Sequence, residues 1–147
     1  MNRDALVSIL IDDEALRLKP YDDATGKELK PGDTLKGNIT IGIGRNLSGV
    51  GISKSEAFML NCADIDKAET QLDNALPWWR SMSERRQIVI LSMVFNMGIN
   101  KVLGFIRTLS FMKQGDYNAA ADGMEASLWA KQVGNRAKRL IDMMRKG

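Results

Sequence analysis

The sequence predicts a mainly helical α+β fold with a small antiparallel sheet, and three observations predict it. Apolar residues recur at helical spacing over most of the chain. Between Tyr21 and Ile43 the pattern changes to short runs cut by turn residues. A capping box at Ser53 then opens a helix long enough to link two lobes.

The elements follow in order. Asn2 suits the N-cap of a first helix whose Leu6, Ile9 and Leu10 share a face, and Pro20 predicts its end near Leu18, with Glu14 on the last turns. Gly26, Pro31-Gly32 and Gly37-Asn38 punctuate the next stretch as hairpin turns do, which assigns Asp23 and Thr40 to a β region. Ser53 and Glu56 form the capping box, and Ala57, Leu60, Ile65, Ala68 and Leu72 give that helix its apolar stripe. Running from Ser53 to Ala75, where Pro77 limits it, the helix would be about 33 Å long. Ser83 to Met97 is helical along Ile88, Leu91, Val94 and Phe95. Shorter helices are expected over Thr108–Gln114, Tyr117–Trp129 and Asn135–Arg145, and there is no repeat or low-complexity segment.

A chain of 147 residues fits one domain with a sizeable core, which a cleft could divide into lobes. Its net charge of +3 is uneven, because the last twenty residues hold six Lys or Arg against Asp142 alone and carry +5, leaving −2 for the rest. Such asymmetry points to an anionic partner: nucleic acid, lipid headgroups or an acidic wall polymer. Nucleic acid is the least favoured, since no reading motif accompanies the charge. One cysteine, Cys62, permits no internal disulfide and reads as a small buried hydrophobe. The apolar run Ala5 to Ile11 is too short for a membrane span and meets Asp12, Asp13 and Glu14 at once, so neither export signal nor anchor is expected.

The chain contains no histidine, which excludes Ser-His and Cys-His nucleophiles and most zinc sites. Asp12, Asp13, Asp22 and Asp23 lack the spacing of a calcium hand, so no metal or other cofactor is expected. Carboxylates remain for proton transfer. Glu14 and Asp23 stand nine positions apart, one at a helix end and one in the β region, with Thr40-Ile41-Gly42-Ile43-Gly44 following. Two carboxyl groups so carried can face each other across a cleft, as hydrolysis of a glycosidic bond requires. The competing readings are a solvated Glu14, a turn initiated by Asp22 and Asp23, and Thr40 as an ordinary strand residue. Trp78, Trp79 and Trp129 are expected to pack in cores.

Four separated motifs carry a resemblance. They are Asp13 to Lys19 with Tyr21 and Asp23, then Thr40 to Gly44, then Met93-Val94-Phe95-Asn96-Met97-Gly98, and last Asn135-Arg136-Ala137-Lys138-Arg139. In this order, over most of the chain, they resemble the phage-type lysozymes, the endolysin group of glycoside hydrolases. The resemblance implies a two-lobed, lysozyme-like domain over 1–147: a sheet-bearing lobe over about 14–60, a connecting helix, and a helical lobe over about 76–147 on which the first helix packs. It implies that Glu14 is the general acid, that Asp23 assists a nucleophilic water and that Thr40 helps place it. Gly42 and Gly44 would let backbone approach substrate or the first helix; Asn96 would support the site, and Arg136 would approach Glu14. The implied reaction is hydrolysis of the β-1,4 bond between N-acetylmuramic acid and N-acetylglucosamine in bacterial peptidoglycan, with inversion. A monomer is expected and, with no export signal visible, it is expected to stay in the host cytoplasm until a holin-like protein admits it to the periplasmic wall.

This sequence departs from the family in places. Arg45 stands where a histidine is common, so any charge pair there is permanently cationic. Asn96 replaces a glutamine, sixteen residues separate Asp23 from Thr40, and the short stretch from Arg45 to Ser53 implies a lost helix. Two alternatives stand beside hydrolysis. One is a non-catalytic wall-binding phage protein. The other is membrane permeabilisation by the basic C-terminal helix, against which docking of Leu140, Ile141, Met143 and Met144 on a core is preferred.

Overall fold

A computed structural model describes all of residues 1–147. The chain divides into two compact units, Met1–Ala57 and Phe58–Gly147.

The first unit begins with α1 (Arg3–Glu14), capped by the Asn2 side chain, which accepts from the Ala5 N–H at 3.1 Å. The helix stops at Glu14, four residues before the expected end. Ala15 closes the last turn onto the Ile11 carbonyl and takes φ +60°, ψ +150°, which throws the chain out of the helix. The alternation that follows suits a strand, and β1 (Arg17–Asp22) forms with Pro20 inside it. Proline is tolerated there because β1 is an edge strand of the β1-β2-β3 sheet, and the register slips between Arg17 and Tyr21. Arg17 lies 4.1 Å over the Tyr21 ring. β2 (Ile39–Gly42) pairs antiparallel with β1 and with β3 (Arg45–Asn46). The stretch expected to have lost its helix keeps one turn, α2 (Leu47–Val50), because Asn46 caps it by accepting from Gly49 at 2.8 Å.

The capping box at Ser53 forms as the sequence predicts. Glu56 N–H donates to Ser53 Oγ at 3.2 Å and Ser53 N–H donates to Glu56 Oε2 at 2.7 Å, opening α3 (Lys54–Ala75). Of the expected α3 stripe only Ala68 and Leu72 are buried. Phe58, Met59 and Leu60 are exposed, and so is Cys62, which corrects its reading as a buried hydrophobe.

The second unit holds the core. A 3₁₀ turn over Pro77–Ser81 buries Trp79, whose indole N–H donates to Asp73 at 2.8 Å. α4 (Glu84–Met97) runs through the middle and buries Val89, Ile90, Met93 and Val94. Of the expected stripe Val94 is buried and Leu91 packs partly buried against the core, while Ile88 and Phe95 are exposed. α5 (Ile99–Leu103) and α6 (Ile106–Gln114) follow. The expected Tyr117–Trp129 helix is two helices, α7 (Tyr117–Glu125) and α8 (Leu128–Val133), since Ser127 interrupts it and caps α8 by accepting from Ala130 at 3.2 Å. α9 (Asn135–Lys146) closes the unit with Ala137, Leu140, Ile141 and Met144 in the core. Arg86 donates to the Met144 carbonyl at 2.9 Å near its end. No helix is long and apolar enough to cross a membrane.

Candidate active site

Five of the predicted site residues lie in the first unit. Glu14 is the last residue of α1, and its carboxyl is exposed. Gly44 comes close to it: with φ +69°, a Cβ there would stand 3.0 Å from Glu14 Oε2 and 3.3 Å from its Cγ and Cδ. Glycine at this position therefore meets two demands, a left-handed backbone and room for the carboxyl. Gly42 shares the same φ but faces open space.

Asp23 follows β1 directly, and its N–H donates to the Asn38 carbonyl at 3.1 Å, extending the ladder by one bond. The return bond is different. Asn38 N–H donates to Asp23 Oδ1 at 2.7 Å, so the carboxylate takes the place that the Asp23 carbonyl would fill. Asn38 Nδ2 donates to Oδ2 at 3.0 Å. These donors, the backbone N–H first, hold the Asp23 carboxyl below the usual carboxylate range, while partial burial and the Asp22 charge oppose them. Thr40 pairs with Tyr21 and Asn46 in the sheet, is 3% exposed, and donates its hydroxyl to the Asn38 carbonyl at 3.4 Å.

Asp22 is the site residue that the sequence reading passed over. It is 2% exposed, and its carboxylate accepts from the Lys36 N–H at 2.7 Å, Ala24 N–H at 2.9 Å and Gly37 N–H at 3.0 Å. Those bonds, Lys36 foremost, hold its carboxyl below the usual range against burial. Initiating a turn through Ala24 is thus part of what Asp22 does; it also ties down the far end of the loop. Gly37 must be glycine, because a Cβ would strike Asp23 Oδ1 and stand 2.7 Å from Ala24. The adjacent Asp-Asp pair was the available signal, since neighbouring residues of a strand point to opposite faces and one of two such carboxylates is turned inward.

Arg45 pairs with Glu56 through two bonds of 2.9 and 3.0 Å and with the Gly51 carbonyl through 3.1 and 2.9 Å. This fork fastens β3 to the first turn of α3, a task suited to a planar guanidinium.

Asn96 and Arg136 belong to the second unit, where they line a cavity of about 550 Å³ with Ile65, Leu91, Phe95 and Arg139. Asn96 Oδ1 accepts from the indole N–H of Trp129 at 2.9 Å, and Phe105 meets that ring edge-on at 6.5 Å. Trp129 and Trp79 are core residues, as expected. No cluster of three His, Cys, Asp or Glu side chains gathers where a metal ion could be held.

The phage lysozyme family matches residues 12–146. The pre-baseplate central spike protein Gp5 of Enterobacteria phage T4 is 27% identical over 153 residues, covering 92% of this chain and 27% of that protein. Probable T4-type lysozyme 1 of Dictyostelium discoideum is 33% identical over 69 residues, covering 47% of this chain and 41% of that protein. The chain spans less than half the length of either relative.

Proposed function

The chain belongs to the phage lysozyme family, and from that premise we propose that it is an N-acetylmuramidase, an endolysin cutting the β-1,4 bond between N-acetylmuramic acid and N-acetylglucosamine in bacterial peptidoglycan. One observation carries the reading. The seven residues from Asn38 to Gly44 clasp the Asp23 carboxylate at one end, carry Thr40, and lie against Glu14 at the other. In this reading one stretch of backbone serves both the general acid and the pair that holds the water.

In this mechanism Glu14 gives its proton to the glycosidic oxygen as the bond to the anomeric carbon breaks and the electron pair leaves with that oxygen. A water between Asp23 and Thr40 attacks the same carbon from the opposite face, and its proton passes to Asp23. The configuration inverts, which requires carboxyl groups about 6.5–9.5 Å apart. Proton exchange with solvent then resets both groups. No cofactor takes part. A separate membrane-permeabilising protein would give the enzyme access to the wall.

The test is turbidity loss of purified peptidoglycan with identification of the new reducing ends, comparing the native chain with Glu14→Gln. Native protein should release reducing muramic acid ends, and the variant should fall at least about 100-fold, as loss of a general acid demands. Clearing by both would leave wall binding or membrane disruption as the activity. The burial of Ala137, Leu140, Ile141 and Met144 in the core weighs against the membrane reading of α9, because that helix has no free apolar face to insert.

A further inference from the structure

We propose that Asn38 is the positioning residue of the hydrolytic water: it fixes the orientation of the Asp23 carboxylate that takes the water's proton. The proposal rests on the muramidase reading above and goes beyond it.

Asn38 spends three of its polar groups on the pair. Its N–H and Nδ2 each take one oxygen of Asp23, at 2.7 and 3.0 Å, which fixes the plane of the carboxylate. Its carbonyl accepts from Asp23 N–H at 3.1 Å and from Thr40 Oγ1 at 3.4 Å. The last contact is long for a hydroxyl bond, so Asn38 acts chiefly through Asp23. Asp23, ionised, is an acceptor with both oxygens already oriented, and it keeps a lone pair on each to take a proton of the water.

Asn38 can do this only if it is itself held, and it is held on both sides. The Asp22 carboxylate grips the N–H of Lys36 and Gly37 just before it. Ser48 Oγ accepts the N–H of Ile39 just after it, at 2.9 Å. Gly37 lets the chain close over Asp23 without a side chain between them. The Asp22 charge acts against ionisation of Asp23, so the Asn38 amide also opposes a neighbouring carboxylate.

The experiment compares native protein, Glu14→Gln, Asn38→Ala and the isosteric Asn38→Asp in reducing-end release across pH, with melting curves alongside. Asn38→Ala removes one of the two donors to Asp23 and should lower kcat about tenfold at little change in KM. Its acid limb in kcat should move to higher pH, since Asp23 loses a bond that favours its charged form. Asn38→Asp keeps the shape but turns a carboxylate toward Asp23, and should move that limb further in the same direction. A residue that only stabilised the loop would lower the melting temperature without moving the limb. Native kcat and an unmoved limb in both variants, or a loss confined to KM and melting temperature, overturn the proposal. Undiminished reducing-end release by Glu14→Gln overturns the muramidase reading itself, whatever Asn38 does.

Discussion

Replacing Gly44 by alanine separates two costs that this glycine avoids. The first is conformational: at φ +69° a Cβ is strained wherever it points, by about 1–2 kcal/mol. The second is local to the site. The new methyl would stand 3.0 Å from Glu14 Oε2, about 0.4 Å inside the 3.4 Å at which ordinary contact begins, so the carboxyl must retreat by at least that much. Displacing a reacting group by 1 Å can cost about 100-fold, which scales to roughly a sixfold loss in kcat for 0.4 Å. Gly42→Ala is the matching control, with the same φ and no atom within 4 Å of the added methyl. Both variants should melt about 2–8 °C lower than the native chain. Only Gly44→Ala should lose kcat in proportion to the displacement of Glu14, measured as reducing ends released from peptidoglycan. If Gly44→Ala keeps native kcat, or if Gly42→Ala loses as much, the approach of Gly44 to Glu14 has no part in placing the acid.

Ala15→Gly should raise the melting temperature, because φ +60° with ψ +150° strains alanine by about 1–3 kcal/mol, more than the 0.5–1 kcal/mol or so that glycine's freedom costs; a lower value would show that alanine is at ease there. The Glu56 carboxyl is held below its ordinary value of 4.5, first by the Ser53 N–H, then by the Ser53 hydroxyl and by Arg45. Its stabilising contribution is therefore complete above about pH 4.5 and is lost as pH falls through the lower folded value. Melting temperature should fall more steeply on acidification in the native chain than in Glu56→Gln, and parallel curves would dismiss the linkage. Trp129→Phe keeps the edge contact with Phe105 but gives up the bond to Asn96, and chemical denaturation should read a loss of about 1 kcal/mol. Leu72→Ala, at a fully buried position, should cost about 2–5 kcal/mol by the same measurement.

Ser53 and Glu56 made the start of α3 legible, because a capping box is a local bargain between residues three apart and needs no tertiary partner. The same holds for Asn2, and for Thr40 in the β region, where turn residues bracket the strand. The end of α1 was misread because Pro20 stops a helix only if the chain is still helical when it arrives. Here the backbone has already turned at Ala15, and Pro20 sits harmlessly in an edge strand. Ser127 was overlooked inside an apolar run for a related reason: it can cap a helix or ride on one, and only the packing decides. On the α4 face, Ile88 and Phe95 are as apolar as Val89 and Ile90, so periodicity alone could not say which row enters the core. Asn38 was beyond reach altogether. Its partner Asp23 is fifteen residues away, and nothing local in Gly37-Asn38 distinguishes a turn from a clasp.

The Asp22 latch bears on how this chain could change over generations. Asp22 grips main-chain N–H groups, and every residue but proline supplies one, so Ala24 and Lys36 are held by position and not by identity. Between them, residues 26 to 29 are tied back to β1 through Gly26, Glu28 and Leu29, and Lys30 to Asp33 closes into a turn of its own. Apart from Asp33, whose carboxylate accepts from the Lys30 N–H and pairs with Lys27 at 3.3 Å, the tip from Lys30 to Leu35 is thus hung from anchors that do not read its sequence. Doubling the length of such a loop costs only about 0.6 kcal/mol in closure entropy. Residues can be gained or exchanged there with the latch, Asn38 and Asp23 left in register, leaving one edge of the unit open to adaptation while the chemistry stays inherited.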